Sequence, residues 1–311
     1  MSGAPESRRD GAPTEAVNLV LLLGVACTWG VHWPIMKLAL CEIGPWTFRA
    51  ACIVLGGGLL FALARASGQR LGVPRREIAP LIGVAILNTD GFLMLSAYGV
   101  SLMPASRAVI LGYTIPLWAA ILGAIFLKER LTPARLAGLA LGLAGLGSLI
   151  GPEIAAAFEV PVGALFVLGS AASLAGGAVL TKACRWTIPT LTLVSWQTTI
   201  GGIAIVAVGL VAEPVAESIR MASTTVWLAV LYNVVASTAF AVWAWFHLLK
   251  RLPVQVASIG IMLAPVIGVF SSTWITEDVI GWREIVALAL VVSSFAVISV
   301  SPSGLRTLPR A

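Results

Sequence analysis

Ten apolar stretches divide into two sets of five, and prolines recur at matching depth in each set. Pro104 is followed by Pro116, and Pro253 by Pro265, twelve residues apart in both cases. An acid comes thirteen residues after the second proline each time, Glu129 and Asp278. Five crossings is an odd number, so a second set of five begins on the opposite side of a membrane from the first. Duplicated halves would then be inverted images of each other, the architecture of secondary transporters.

The chain is 59% hydrophobic and only 11% charged, with a mean hydropathy of +0.97. A soluble domain carries about 25% charged residues, so this chain cannot cover a water-facing surface. The apolar runs fall at 17–40, 45–64, 78–100, 104–127, 133–150, 161–181, 189–211, 224–247, 254–275 and 282–300. Each is about long enough to cross ~30 Å of hydrocarbon. Gly-Gly pairs and prolines inside the runs do not suit the short alternating strands of a barrel. An all-α membrane protein of ten helices in two five-helix repeats, 17–150 and 161–300, around a central cavity is the expected fold. Residues 1–16 and 301–311 read as polar tails, the first disordered.

With a cytoplasmic N-terminus, 15 of the 20 basic residues fall on the cytoplasmic side. They include Arg65, Arg70, Arg75 and Arg76, then Lys128, Arg130 and Arg135, then Lys182 and Arg185. That bias sets both termini in the cytoplasm, as in a bacterial inner-membrane protein. The net charge of +6 therefore reads as topology, not nucleic-acid binding. Cys27, Cys41, Cys52 and Cys184 have no metal spacing, and no cofactor or metal is called for.

Thr28-Trp29-Gly30 with Lys37, Arg49 early in the second run, and Pro116 leading into Leu127-Lys128-Glu129-Arg130-Leu131 form a recognisable set. The glycine-spaced stretch Ala137–Gly145 and the Leu248–Pro253 segment before Pro265 extend it. The chain resembles the drug/metabolite transporter superfamily, in its EamA-type ten-span branch, over about 17–300. Glu277-Asp278-Val279-Ile280 departs from the usual Glu-Arg-Leu of that branch. The resemblance implies inverted halves around a cavity and export or exchange of small metabolites: amino acids, purines, cations or drugs. It also implies a role in gating or folding for Arg49.

Polar groups at membrane depth carry the functional signal, because each costs a few kcal/mol unless paired or hydrated. Asp90 lies near the middle of the third run, where a carboxylate can take up a proton, hold a cation, or pair with Arg49, Arg107 or Thr89. Helical spacing sets it on a stripe with Met94, Ala97 and Tyr98. Trp29, His32, Trp33 and Met36 share one face of the first run, and His32 between two indoles can bind an aromatic or cationic ligand, pass protons, or simply pack. Asn233, Ser237, Phe240, Trp243 and His247 fall on one stripe of the eighth run. Tyr113, Thr114 and Trp118 flank Pro116, which, like Pro265, marks a kink or gate. Lys37 and Arg49 lie close to the outer side and both can snorkel to the interface, the preferred account of Lys37, and Glu129 reads as a solvated helix-end charge.

The leading reading is a secondary transporter, an exporter or exchanger driven by a gradient, with Asp90 and His32 as coupling groups. A non-transporting scaffold or sensor is the alternative. An intramembrane enzyme lacks a nucleophile–base pair or a metal-ligand set. The partners are a small-molecule substrate and the lipid bilayer, with monomer and homodimer both open.

Overall fold

The computed structural model describes residues 11–129, 131–157, 161–249, 251–252, 257 and 260–300. Arg8, Arg9, Arg130, Lys250, Pro253, Arg306 and Arg310 lie outside them, as do residues 1–10 and 301–311. Among the described residues all regular structure is helical. Eight helical stretches are long and apolar enough to cross a membrane. The ninth expected run appears in part as the shorter apolar helix Leu263–Ile275, and the tenth as the helix Trp282–Val300.

The helices are α1 (Gly11–Leu40), α2 (Pro45–Ala66), α3 (Arg75–Ala85), α4 (Leu95–Ser101), α5 (Ala105–Gly112), α6 (Ile115–Phe126), α7 (Pro133–Ala157) and α8 (Val162–Ala183). They continue with α9 (Thr190–Ala212), α10 (Val215–Met221), α11 (Thr224–Leu231), α12 (Ala241–Leu249), α13 (Leu263–Ile275) and α14 (Trp282–Val300). Helix α1 thus begins before the first apolar run, and α7 continues past the fifth.

Two stretches are not α-helical. Ile86–Met94 joins α3 to α4 as a π-helix, and Tyr232–Phe240 joins α11 to α12 in the same way. Each is nine residues long and sits inside one continuous span. A π segment frees backbone groups from the ordinary ladder and is common at functional sites.

The prolines define a second pair of interruptions. Tyr113 and Thr114 break the fourth span, and Pro116 sits in the first turn of α6. Met262 breaks the ninth, and Pro265 sits in the first turn of α13. Both prolines therefore open a new helix rather than bend a continuous one. The first turn has no amide partner to lose there.

Helix pairing is equally regular. Helix α1 lies along α13, α2 along α9, α7 along α14, and α8 along α4, α6 and the first π segment. Glycine permits the α1–α13 crossing. A side chain at Gly30 would run into the Ala264 carbonyl, and one at Gly268 would press on the Gly30 carbonyl.

Candidate transport site

The first π segment and α8 carry one polar cluster, and the second π segment and α1 carry another. On α1, the His32 Nδ1 lies 3.0 Å from Asn233 Nδ2. One turn away, Tyr232 Oη donates to the Thr28 carbonyl at 2.9 Å and Trp29 Nε1 donates to the Ser237 carbonyl at 3.1 Å. Trp33 is buried, with its ring 6.5 Å from Tyr113 and its edge packed on Gly112. Trp29 stands 5.7 Å from Trp245. His32, Trp29, Trp33, Tyr113 and Asn233 are therefore one group, built from α1, the break in the fourth span and the second π segment.

Asp90 belongs to the other cluster. Its Oδ1 is buried without a hydrogen-bond partner among the described residues, and so is the Asn88 Oδ1. The Asp90 carboxylate faces Gly201 of α9. It bonds neither of its expected arginine partners: Arg49 reaches Leu93, Met36 and Ser96, and Arg107 donates to Glu284 at 2.8 Å. Thr89 Oγ1 donates to the Gln197 carbonyl at 3.1 Å instead of to Asp90, and Asn88 Nδ2 donates to Gln197 Oε1 at 3.2 Å. Ser173 Oγ donates to the Leu87 carbonyl at 2.8 Å. Asp90 and His32 thus occupy different clusters.

Arg49 does not snorkel. It is 1% exposed, with Nε donating to the Leu93 carbonyl at 3.0 Å and Nη2 to Ser96 Oγ at 3.0 Å. Those bonds clamp α2 onto the end of the π segment and the start of α4. Lys37 also turns inward, donating to the carbonyls of Val100 and Ser101 at 2.9 and 3.0 Å. Tyr98 packs with Met94 against Ile53 and Ile205 and stacks on Phe166 at 5.6 Å. Trp243 is 52% exposed and stacks on His247 at 5.3 Å, away from the His32 group.

Trp118 Nε1 is buried without a partner among the described residues. A narrow void of about 10 Å³ touches Tyr113, Thr114, Pro116 and Phe295, the lower limit for a single water. Pro116 also borders a cavity of about 240 Å³ lined by Ala119, Gly123, Val179, Ile298 and the charged trio Glu129, Arg135 and Lys182. Glu129 is not free in solvent: its oxygens lie 2.5 Å from Lys182 Nζ and 2.8 Å from Arg135 Nη1. The Lys182 ammonium, with Arg135, holds the Glu129 carboxyl below its ordinary range against partial burial. Asn88, Tyr232 and Ser173 are the site residues that sequence reasoning passed over. Their signal is a spacing: Asn88 and Asn233 stand 145 residues apart, as do Ser173 and Thr28, and Leu87 and Tyr232.

The model of the EamA-like transporter family matches residues 17–150 and 161–300. The chain belongs to the EamA-like transporter family. It is a multi-pass membrane protein whose relatives carry transporter names. It is 25% identical to the uncharacterized transporter YoaV of Bacillus subtilis, over 80% of this chain and 85% of that one. It is 23% identical to a probable amino-acid metabolite efflux pump of Salmonella typhimurium, over 92% and 93%. A crystal structure of another protein superposes with a TM-score of 0.64 at 21% identity, over 91% of this chain and 96% of that one, a likeness of fold alone.

Proposed function

We propose that this EamA-family chain is a secondary transporter of a small metabolite or drug, built from two inverted five-helix halves that expose the site alternately to either side. The observation that carries the reading is the duplicated interlock. Thr47 and Thr192 stand 145 residues apart. Each tethers the start of one helix to the far end of the other half: Thr47 Oγ1 to Glu213 and Thr192 Oγ1 to the Arg70 carbonyl. Glu42 accepts from Ser223 Oγ at 2.8 Å, and Glu77 from Thr187 Oγ1 at 2.5 Å, the same pair of helix ends in each half. The two π segments start 146 residues apart. A fold that repeats its contacts with exchanged partners has two equivalent packings, which is what alternation requires.

In this reading His32, Trp29, Trp33, Tyr113 and Asn233 contact the substrate, and Asp90, with an orphaned oxygen at membrane depth, takes the coupling proton. The Glu129 end of the bundle faces the cytoplasm of an inner-membrane protein, as the basic residues require. The efflux-pump relatives favour an amino-acid metabolite and the outward direction; purines, organic cations and drugs complete the range. Flux in proteoliposomes across those four classes, with and without a proton gradient, tests it. Wild-type flux that Asp90→Asn abolishes or uncouples from the gradient supports the reading. Gradient-driven flux untouched by that change removes Asp90 from the mechanism, and no flux in any class favours a sensor.

A further inference from the structure

Two identical turns sit at opposite ends of the bundle and do different things with the same pair of charges. After α6, Lys128 adopts φ 54°; after α13, Glu277 adopts φ 57°. The next residue folds back in both: Glu129 N–H donates to the Gly123 carbonyl at 3.2 Å, and Asp278 N–H to the Ser272 carbonyl at 3.2 Å. Every one of these pairs is 149 residues apart. A left-handed residue reverses the chain and aims the following side chain back over the helix end. Each acid follows a helix that packs along a helix of the other half, α6 along α8 for Glu129 and α13 along α1 for Asp278, and both of those partner helices have a lysine at their C-terminal ends. Those ends carry Lys182 and Lys37, themselves 145 residues apart.

The acids and lysines are thus two equivalent pairs, and only one is made. At the Lys182 end, Glu129 and Lys182 are 2.5 Å apart beside the cavity of about 240 Å³. At the Lys37 end the pair is split. Asp278 Oδ2 accepts from the Ser106 N–H at the start of α5 at 2.7 Å. Lys37 donates to the Val100 and Ser101 carbonyls that end α4. Both substitute contacts draw α1 and α13 onto α4 and α5, and the packing there is tight: Ala105 and Ser106 are buried. A made pair therefore accompanies an open end, and a split pair, with both charges spent on helix ends, accompanies a closed one.

We infer that Lys37–Asp278 and Lys182–Glu129 are alternating gate latches. When the Lys37 end opens, Asp278 leaves Ser106, Lys37 leaves the end of α4, and the two join. When the Lys182 end closes, Glu129 and Lys182 part. The inference rests on the alternating-access reading, and the latch residues are positioning residues that never touch substrate. It supplies what the inverted interlocks lack, a contact that costs little to exchange: Lys37 and Asp278 hold backbone partners while apart and each other when joined.

The test uses the full chain with Cys27, Cys41, Cys52 and Cys184 replaced by alanine. Two reporters are alkylated with a polar maleimide, Ala105→Cys at the Lys37 end and Ala119→Cys in the cavity. Bridging Lys37→Cys to Asp278→Cys with a short bifunctional thiosulfonate is expected to raise reactivity at Ala105→Cys about tenfold and lower it at Ala119→Cys by a similar factor. Bridging Glu129→Cys to Lys182→Cys is expected to form faster and to silence Ala105→Cys. Failure of the first bridge while the second forms overturns the latch. So do bridges that leave both reporters unchanged. If Ala105→Cys never reacts in the unbridged protein, the Lys37 end does not open and the alternating-access reading falls. If it reacts freely but ignores the bridges, only the latch falls.

Discussion

Asn88 and Asn233 occupy equivalent places, each in the first turn of a nine-residue π-helical segment and each facing the first helix of the opposite half. What they meet there differs. Asn233 meets the imidazole of His32, inside a group of aromatic rings. Asn88 meets Gly177, which stands where His32 would, and turns its amide to Gln197 instead. The π segments disturb the backbone alike in both halves, while side chains separate a ring-lined site on one from an acid-bearing packing seam on the other. The same backbone disturbance is thus surrounded by different side chains: an imidazole beside Asn233, a glycine and a glutamine amide beside Asn88.

The comparison breaks most readily at His32. His32→Ala and Asn233→Leu are each expected to cut flux at least tenfold, with expression and thermal stability nearly unchanged. Asn88→Leu should cut it less, because Asn88 serves packing. Initial rates in proteoliposomes decide this. Equal losses at Asn88 and Asn233 would mean that both copies line the path. The next largest effect is expected at Asp90. Asp90→Asn should leave exchange intact while flux loses its response to an imposed pH gradient, since an amide cannot carry the proton.

Packing sharpens the same contrast. Gly177→Ala sets a methyl against the Asn88 amide, and Gly201→Ala sets one against Thr89 and Asp90. Overpacking of this kind costs about 1–3 kcal/mol. A melting point several degrees lower is expected for each. Gly58→Ala, where a methyl meets nothing within 4 Å, should match the wild type or exceed it, because alanine favours helix.

Much of this was legible in the residues. The apolar runs locate the helices, and the repeated Pro–Pro–acid spacing locates the turns at Lys128 and Glu277. Trp29, His32 and Trp33 share a face because α1 is regular there. The π segments were not legible, since apolar periodicity does not reveal one inserted residue. The buried partners of Arg49 were not legible either: the Leu93 carbonyl and the Ser96 hydroxyl meet it where the π segment gives way to α4, and no sequence pattern announces them. The Asn88–Asn233 equivalence follows a spacing of 145, whereas the proline repeat follows 149. The extra four residues fall between the eighth and ninth runs, so a single register hides half the correspondences.

The smallest expected effect concerns charge at the Lys182 end. Glu129 is held below its ordinary range by Lys182 and Arg135. A depressed carboxyl stabilises the fold fully above its unfolded value and loses that contribution as pH falls through the folded one. The melting-point gap between the wild type and Glu129→Gln should therefore be largest near pH 7. It should hold as pH falls to the ordinary carboxylate value and close only below that. Lys182 is largely exposed, and a pair open to solvent is worth at most about 1 kcal/mol. The gap should amount to only a degree or two. A gap that vanished already between pH 7 and pH 6 would mean that Glu129 has a raised value and a different set of partners. The contrast between a made pair at one end and a split pair at the other would then lose its physical basis.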